Sequence, residues 1–447
     1  MRKRLTALFR DDSLRGASLR SSLWTISGFG GESILRLGAN LILTRLLAPD
    51  MFGLMALAMT FVTGVALMSD LGTSHSVVRS KRGDDPDFLA TAWSVQVMRG
   101  CIIATASVAL AWPLAQLYEQ PELFLILAAL SFQPLIAGFN SVGFATQARK
   151  MQLGRVMLVN LAAQATITVV MILFALALQS VWALVVGTLM GAVAKMVMSH
   201  LLLERHPIRF HLEREALGEI IRFGRWVLLS TLFTFLGGRG ITAVHGALVP
   251  LDVLGVLAVS TVLIRAFETL VQKLLTAVGF SAFARVLRER PEDLPKILAN
   301  VRNKFLTVCV LGFVLVSFIS QPLIDFLYDE RYALAGSFLA IQALNGGLRV
   351  LVRPYQEVML ASGDSRLHAA VMFCSASVGI LGTIAGYYLL DIYGMLAGMG
   401  LAALVVFGIS ASFAHRRGYA NLTLDFVIVG GLLTLYAITL SQLMGAA

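Results

Sequence analysis

Charged side chains recur at helical spacing inside stretches that are otherwise apolar, and chemistry would be done there. Glu32 and Arg36 stand four residues apart, with Asn40 four further on. Asn345, Arg349, Arg353 and Glu357 repeat the same step. Arg265, Glu268 and Lys273 fall close to one face of a third stretch, while Asp70, Arg99, Lys195, Arg239 and His245 are placed singly. Residues four apart share a face of an α-helix. An ionised group at mid-bilayer costs about 2.5–3.5 kcal/mol on insertion scales, so such groups face protein or water rather than lipid. Two readings stand side by side. Glu32–Arg36, Arg265–Glu268 and Arg353–Glu357 are self-neutralising pairs that tolerate burial, with Arg99 and Lys195 reaching out from helix ends. Alternatively, the excess of arginine makes a water-filled, net-positive cavity for an anion, because the guanidinium fork matches phosphate oxygens. The candidate substrate-binding residues are then Arg36, Arg239, Arg265, Arg349 and Arg353. Glu32, Asp70, Glu268, Lys273 and Glu357 are left for ion coupling or charge pairing.

The sequence carries no catalytic constellation. Gly237-Gly238-Arg239-Gly240 lies inside an apolar stretch and lacks the strand–loop–helix setting of a phosphate loop. It is expected to kink a helix or let backbones approach. His75, His200, His206, His211, His245, His368 and His415 are scattered without metal-ligand spacing, so neither metal nor cofactor is expected. His245 is expected to be a satisfied interior histidine rather than a proton relay. Cys101, Cys309 and Cys374 all lie in apolar segments and read as small core residues.

The elements that must position these residues follow from composition. The 447-residue chain is 57% hydrophobic and only 14% charged, against about 25% charged in soluble domains. Its mean hydropathy is +0.79. Apolar runs fall at roughly 21–47, 52–78, 88–117, 122–146, 156–177, 180–203, 220–248, 251–283, 300–324, 333–360, 366–390, 394–414 and 422–444. At about 20 residues per span they predict an all-α polytopic membrane bundle of about 12–14 spans. Alternate connections are basic, at Arg79/Lys81/Arg82, Arg149/Lys150/Arg155, Arg205/Arg209/Arg214, Arg285/Arg288/Arg290/Lys296 and Arg416/Arg417. Those between them are short and neutral or acidic. This places the basic loops and the N-terminus in the cytoplasm. The formal charge of +10 is thereby topological, and nucleic acid is not invoked.

The chain also echoes itself. Leu47-Ala48-Pro49-Asp50-Met51-Phe52-Gly53-Leu54 resembles Leu248-Val249-Pro250-Leu251-Asp252-Val253-Leu254-Gly255-Val256, with one inserted residue. Each motif follows a long helix with a tryptophan near its start, Trp24 or Trp226, and an intramembrane arginine, Arg36 or Arg239. The expected organisation is a basic tail at 1–20, an N-lobe of about six spans at 21–203 and a cytoplasmic inter-lobe loop at 204–219. A C-lobe of about six spans at 220–415 and an additional span at 422–444 complete it. Two parallel six-helix repeats would enclose a central cavity.

The run Leu46-Leu47-Ala48-Pro49-Asp50-Met51-Phe52-Gly53-Leu54-Met55-Ala56-Leu57, then Ser69-Asp70-Leu71-Gly72 and Val78-Arg79, resembles the start of bacterial polysaccharide or oligosaccharide flippases. These belong to the multidrug/oligosaccharidyl-lipid/polysaccharide exporter superfamily. The resemblance implies a transporter, not an enzyme, in the bacterial inner membrane. It would flip undecaprenyl-pyrophosphate-linked sugar units by alternating access, with Arg36 at the family's first-helix arginine. A polysaccharide polymerase and a chain-length regulator are the protein partners expected with such a lipid-linked glycan. A drug or metabolite antiporter of the same superfamily is the alternative, and would favour acidic cavity residues. A membrane glycosyltransferase or polymerase is disfavoured by the short outer loops.

Overall fold

The computed structural model describes residues 14–206, 208–289, 291–300, 303, 306–361, 365–419 and 423–445. Among them there is no strand. Helices α1 (Leu14–Leu46), α2 (Pro49–Met68), α3 (Thr73–Arg79), α4 (Pro86–Leu117), α5 (Pro121–Leu130), α6 (Phe132–Gly138), α7 (Gly143–Arg149), α8 (Leu153–Leu178) and α9 (Trp182–Leu202) follow one another. Then come α10 (Arg214–Gly237), α11 (Arg239–Leu248), α12 (Leu251–Glu289), α13 (Leu294–Asn300), α14 (Thr307–Leu327), α15 (Leu334–Ala361), α16 (Ser365–Arg416) and α17 (Thr423–Gly445). Ten helical segments among the described residues are long and apolar enough to cross a membrane. The protein is an all-α, multi-pass helix bundle. Most of the basic tail lies outside the described residues, and α1 begins at Leu14, ahead of the expected Ser21.

Two compact units make up the chain, Met1–Leu47 with Leu57–Leu232, and Ala48–Ala56 with Phe233–Ala447. In the first, α8 packs on α9 and on α1, while α4 packs on α5 and α6 and α3 packs on α7. In the second, α15 is the central helix, contacting α12, α14, α16 and α17. Its apolar window is 94% buried, so no face of it is left for lipid.

Several long apolar runs are not single helices. The expected span 52–78 breaks between α2 and α3. Asp70 Oδ1 accepts a hydrogen bond from the Gly72 amide at 3.0 Å, and Gly72 adopts φ 59°, where only glycine is unstrained. A short side chain that competes for backbone donors ends the helix here. The run 122–146 divides into α5, α6 and α7. At Gly238 (φ −120°, ψ −86°) α10 gives way to α11, as the glycine pair led one to expect. Conversely, the two runs 366–390 and 394–414 are joined almost without a loop. Leu390 and Asp391 leave helical geometry, Asp391 at φ 55°, and α16 doubles back on itself. The hairpin is drawn tight by two small-residue pairs. A Cβ on Gly386 would stand 2.0 Å from the Gly394 carbonyl oxygen, and one on Gly398 1.9 Å from that of Gly382. Backbones that close are the membrane-protein use of small-xxx-small spacing.

The repeated motif has a structural counterpart within the second unit. Pro49 opens α2, where proline's missing N–H costs nothing, and Pro250 directly precedes α12. A Cβ on Gly53 would meet the Leu251 carbonyl oxygen at 2.0 Å, and one on Gly255 would meet that of Pro49 at 1.7 Å. The motif-equivalent glycines thus make reciprocal contacts.

Three basic connections of the first unit lie at one end. Arg149 donates to the carbonyls of Val77, Val78 and Ser80 and to Asp84, and Lys150 pairs with Glu204 at 2.7 Å. Glu119 lies past the far end of α4, a helix of 32 residues and so about 48 Å long. A cysteine at Lys81 is therefore expected to resist a membrane-impermeant thiol reagent in intact cells, and one at Glu119 to label. Labelling of Arg288→Cys from outside would break the alternation. Arg288 is helical in α12, but its side chain lies outside the described residues.

Candidate functional site

In the second unit the fold gathers four of the five candidate arginines. Arg349 on α15 donates from Nη2 to Glu268 Oε1 on α12. Arg265, one turn before Glu268, lies in electrostatic reach of both Glu268 and Arg349. Arg353, one turn beyond Arg349, interacts with Glu357, Arg349 and Glu268. Arg239, first residue of α11, is repelled by Arg265. Four guanidiniums against two carboxylates leave two positive charges in excess. Arg239, Arg265 and Arg353 are solvent-accessible, although α15 is enclosed by its neighbours. Such a set can grip an anion by several charge-assisted donors at once.

The pairing differs from the one read along each helix. Among the described residues no ion pair joins Arg265 to Glu268 or Arg353 to Glu357; Glu268 pairs across helices with Arg349. Asn345 leaves the polar stripe altogether. It is wholly buried, donates to the Leu396 carbonyl at 3.0 Å and accepts from Tyr436 at 3.1 Å. Its work is to tie α15 to α16 and α17. Lys273 is helical in α12, with its side chain outside the described residues. His245 is buried, but its Nε2 has no hydrogen-bond partner among the described residues, so the satisfied histidine expected there is not found.

In the first unit, Glu32 and Arg36 share a helix but form no ion pair among the described residues. Arg36 is exposed, and the charge of Glu32 acts instead on Lys195 of α9. The Lys195 ammonium lies over the Phe144 ring, 5.2 Å from its centroid. Arg99 does more than reach out from a helix end. It donates to the Ala66 carbonyl at 2.6 Å, in the last turn of α2, and its Nη1 stands 3.4 Å from Asp70 Oδ1. It therefore holds the break that Asp70 and Gly72 make. Arg99, Asp70, His75, Gln133, Asn140 and Lys195 line a cavity of about 510 Å³ confined to this unit. Asn140 and Gln133 were not singled out in the sequence, because an amide in an apolar run has no charge to betray it.

The chain between the expected lobes is pinned to the first unit. Arg82 donates to both Glu213 oxygens, at 2.8 and 2.7 Å, and to Asp85 at 2.6 Å. These hydrogen bonds hold the guanidinium above its ordinary pKa, and Arg82 holds the Asp85 carboxyl below the usual carboxylate value. Burial pushes the His206 imidazole down, against the pull of Glu204. The His211 and Glu213 amides donate to Ser94 and Thr91 on α4. Loop charges that read as purely topological are thus also structural ties.

Residues 42–336 match the sequence pattern of a family described as polysaccharide biosynthesis protein. Succinoglycan biosynthesis transport protein ExoT of Rhizobium meliloti is 20% identical over 326 residues, 73% of this chain and 65% of ExoT. Teichuronic acid biosynthesis protein TuaB of Bacillus subtilis is 26% identical over 219 residues, 45% of this chain and 44% of TuaB. The chain thus spans less than two thirds of either relative. Among solved structures, the lipid II flippase MurJ in an inward closed conformation superposes with a TM-score of 0.73 at 11% identity, covering 93% of this chain and 92% of that one. That likeness is one of fold.

Proposed function

The chain belongs to the polysaccharide biosynthesis protein family, and on that premise we propose that it flips a polyprenyl-pyrophosphate-linked glycan from the cytoplasmic to the outer leaflet. The observation that carries this reading is the guanidinium cluster of Arg239, Arg265, Arg349 and Arg353, with its two uncompensated positive charges. It receives the pyrophosphate and lowers the cost of taking that headgroup out of water. A cation:drug antiporter would need the opposite excess of charge. The proposed setting is the inner membrane, with the N-terminus cytoplasmic, access alternating from one side to the other, and a polymerase and chain-length regulator as partners. Depleting the protein is expected to make the lipid-linked glycan accumulate while surface polysaccharide falls; unchanged levels of both would overturn the reading.

Arg36 is a separate anion-binding candidate. Since it has no ion pair with Glu32, removing Glu32 as well should not rescue an Arg36→Ala protein. The double alanine variant is expected to stay as inactive in glycan export as the single one, at equal membrane abundance. Recovery of export would mean that Arg36 only neutralises Glu32. Glu32, Asp70 and Glu268 are proposed for ion coupling, and Lys273 and Glu357 for ion coupling or charge pairing. Asp70 and Glu268 reach this role through their arginine partners Arg99 and Arg349.

A further inference from the structure

We propose that the connection between α9 and α10 is an interfacial membrane anchor, with Ile208, Phe210 and Leu212 seated at the headgroup–acyl boundary of a phospholipid leaflet. This stretch is not helical, and its apolar residues alternate with residues that hold the first unit. Arg209 pairs with Asp87. The His211 and Glu213 amides donate to Ser94 and Thr91, and the Glu213 carboxylate takes Arg82. Asp87, Thr91 and Ser94 stand at i, i+4 and i+7 of α4, so three tethers converge on one face of that helix. What the tethers leave over is apolar and uncovered. Ile208 is 62% exposed, Phe210 68% and Leu212 50%. Each square ångström of such surface taken out of water gains about 25 cal/mol.

The surroundings say what covers it. Along α9, long and apolar enough to cross a membrane, the exposed side chains Met190, Val197 and Leu201 recur at helical spacing and share one face. Leu201 ends that face in the last turn, next to His200, whose ring bonds the Phe139 carbonyl at 2.8 Å. Phe139, itself exposed, meets the Trp93 ring, and Trp93 meets Phe210 at 5.1 Å between centroids. Leu201, Phe139 and Phe210 thus gather around Trp93, and the connection extends the lipid-facing surface of a span. A soluble partner would call for a patch set apart from that surface. Aromatic rings collect at the membrane–water boundary. Arg205 and Arg214, on either side of the apolar residues, are exposed and form no ion pair among the described residues, which suits long side chains reaching for lipid phosphates. Residues 79–87, 149–155 and 204–225 together carry eleven lysines and arginines against seven acids, the sign that favours phosphate headgroups.

The anchor is independent of what is transported, and the test reads contact with lipid directly. Cys101, Cys309 and Cys374 are replaced by serine, Phe210→Cys is labelled with bimane, and the full chain is held in phosphatidylcholine nanodiscs. Replacing part of that lipid by phosphatidylcholine with a nitroxide high on the acyl chain brings a quencher to the boundary. An interfacial segment lies about 5–10 Å deep, so the dye is expected to lose at least about half of its emission to the nitroxide lipid and little to aqueous iodide. Glu215→Cys, at the neighbouring exposed carboxylate, should show the reverse. Leu212→Cys gives the same reading without disturbing the Phe210–Trp93 contact. Quenching of both positions 210 and 212 by iodide and not by the lipid would place the segment in water and overturn the anchor. Protection of both from either quencher would mean that protein covers the patch, a second copy included, and would overturn it equally.

Discussion

Arg349→Ala is expected to abolish glycan export while the protein still reaches the membrane. The residue sits at the centre of the cluster, between Glu268 on α12 and Arg353 one turn along α15. A hydrogen bond to a charged group is worth about 1.5–3 kcal/mol, so losing the phosphate contact weakens headgroup binding by about 10–150-fold. Arg349→Lys keeps the charge and loses the fork, and should fall between. Glu268→Gln separates binding from architecture. If the Arg349–Glu268 contact merely braces α15 against α12, removing either partner should do equal harm. If Arg349 grips phosphate, Glu268→Gln frees the guanidinium and preserves or strengthens binding. The measurements are affinity for undecaprenyl pyrophosphate, surface glycan and membrane abundance. Equal loss of binding in Glu268→Gln and Arg349→Ala would reduce the pair to a brace.

Gly255→Val is expected to have the largest effect on folding. Its Cβ would lie 1.7 Å from the Pro49 carbonyl oxygen, an impossible distance. The obstacle is backbone, so no side-chain rotation relieves it. Overpacking costs about 1–3 kcal/mol where neighbours can yield; here the cost falls at or above that range. Gly53→Val, facing the Leu251 carbonyl at 2.0 Å, should do the same from the opposite side. Gly218 and Gly408 meet nothing within 4 Å, and alanine at either should be neutral or stabilising, since glycine in a helix costs about 1 kcal/mol relative to alanine. Melting temperature in detergent and membrane abundance report the outcome. A Gly255→Val protein that melts with the parent would remove the reciprocal contact from the account of this fold.

Fold class and the apolar stretches that make the long helices were legible in the sequence because each is a local property. A run of about 20 apolar residues crosses a bilayer whatever it packs against. A proline after a long helix starts the next one through its own ring. The candidate charges were legible for the same reason, since burial of any ionised group demands explanation. What the sequence could not supply is which charges meet. Spacing tells that Arg265 and Glu268, or Arg353 and Glu357, share a helix face. It does not tell that Glu268 reaches Arg349 on another helix, or that the charge of Glu32 is felt by Lys195 and not tied up by Arg36. Helix breaks were half visible. The Gly237-Gly238 interruption is written in residue type, whereas the one at Asp70–Gly72 depends on a side chain bonding its own backbone and on Arg99 arriving from α4. The cavity of the N-terminal unit was invisible, because its Gln133, Asn140 and Thr73 come from separate helices and connections. Ion pairs and cavities are settled over a few ångströms between elements distant in the chain, and only packing sets those distances.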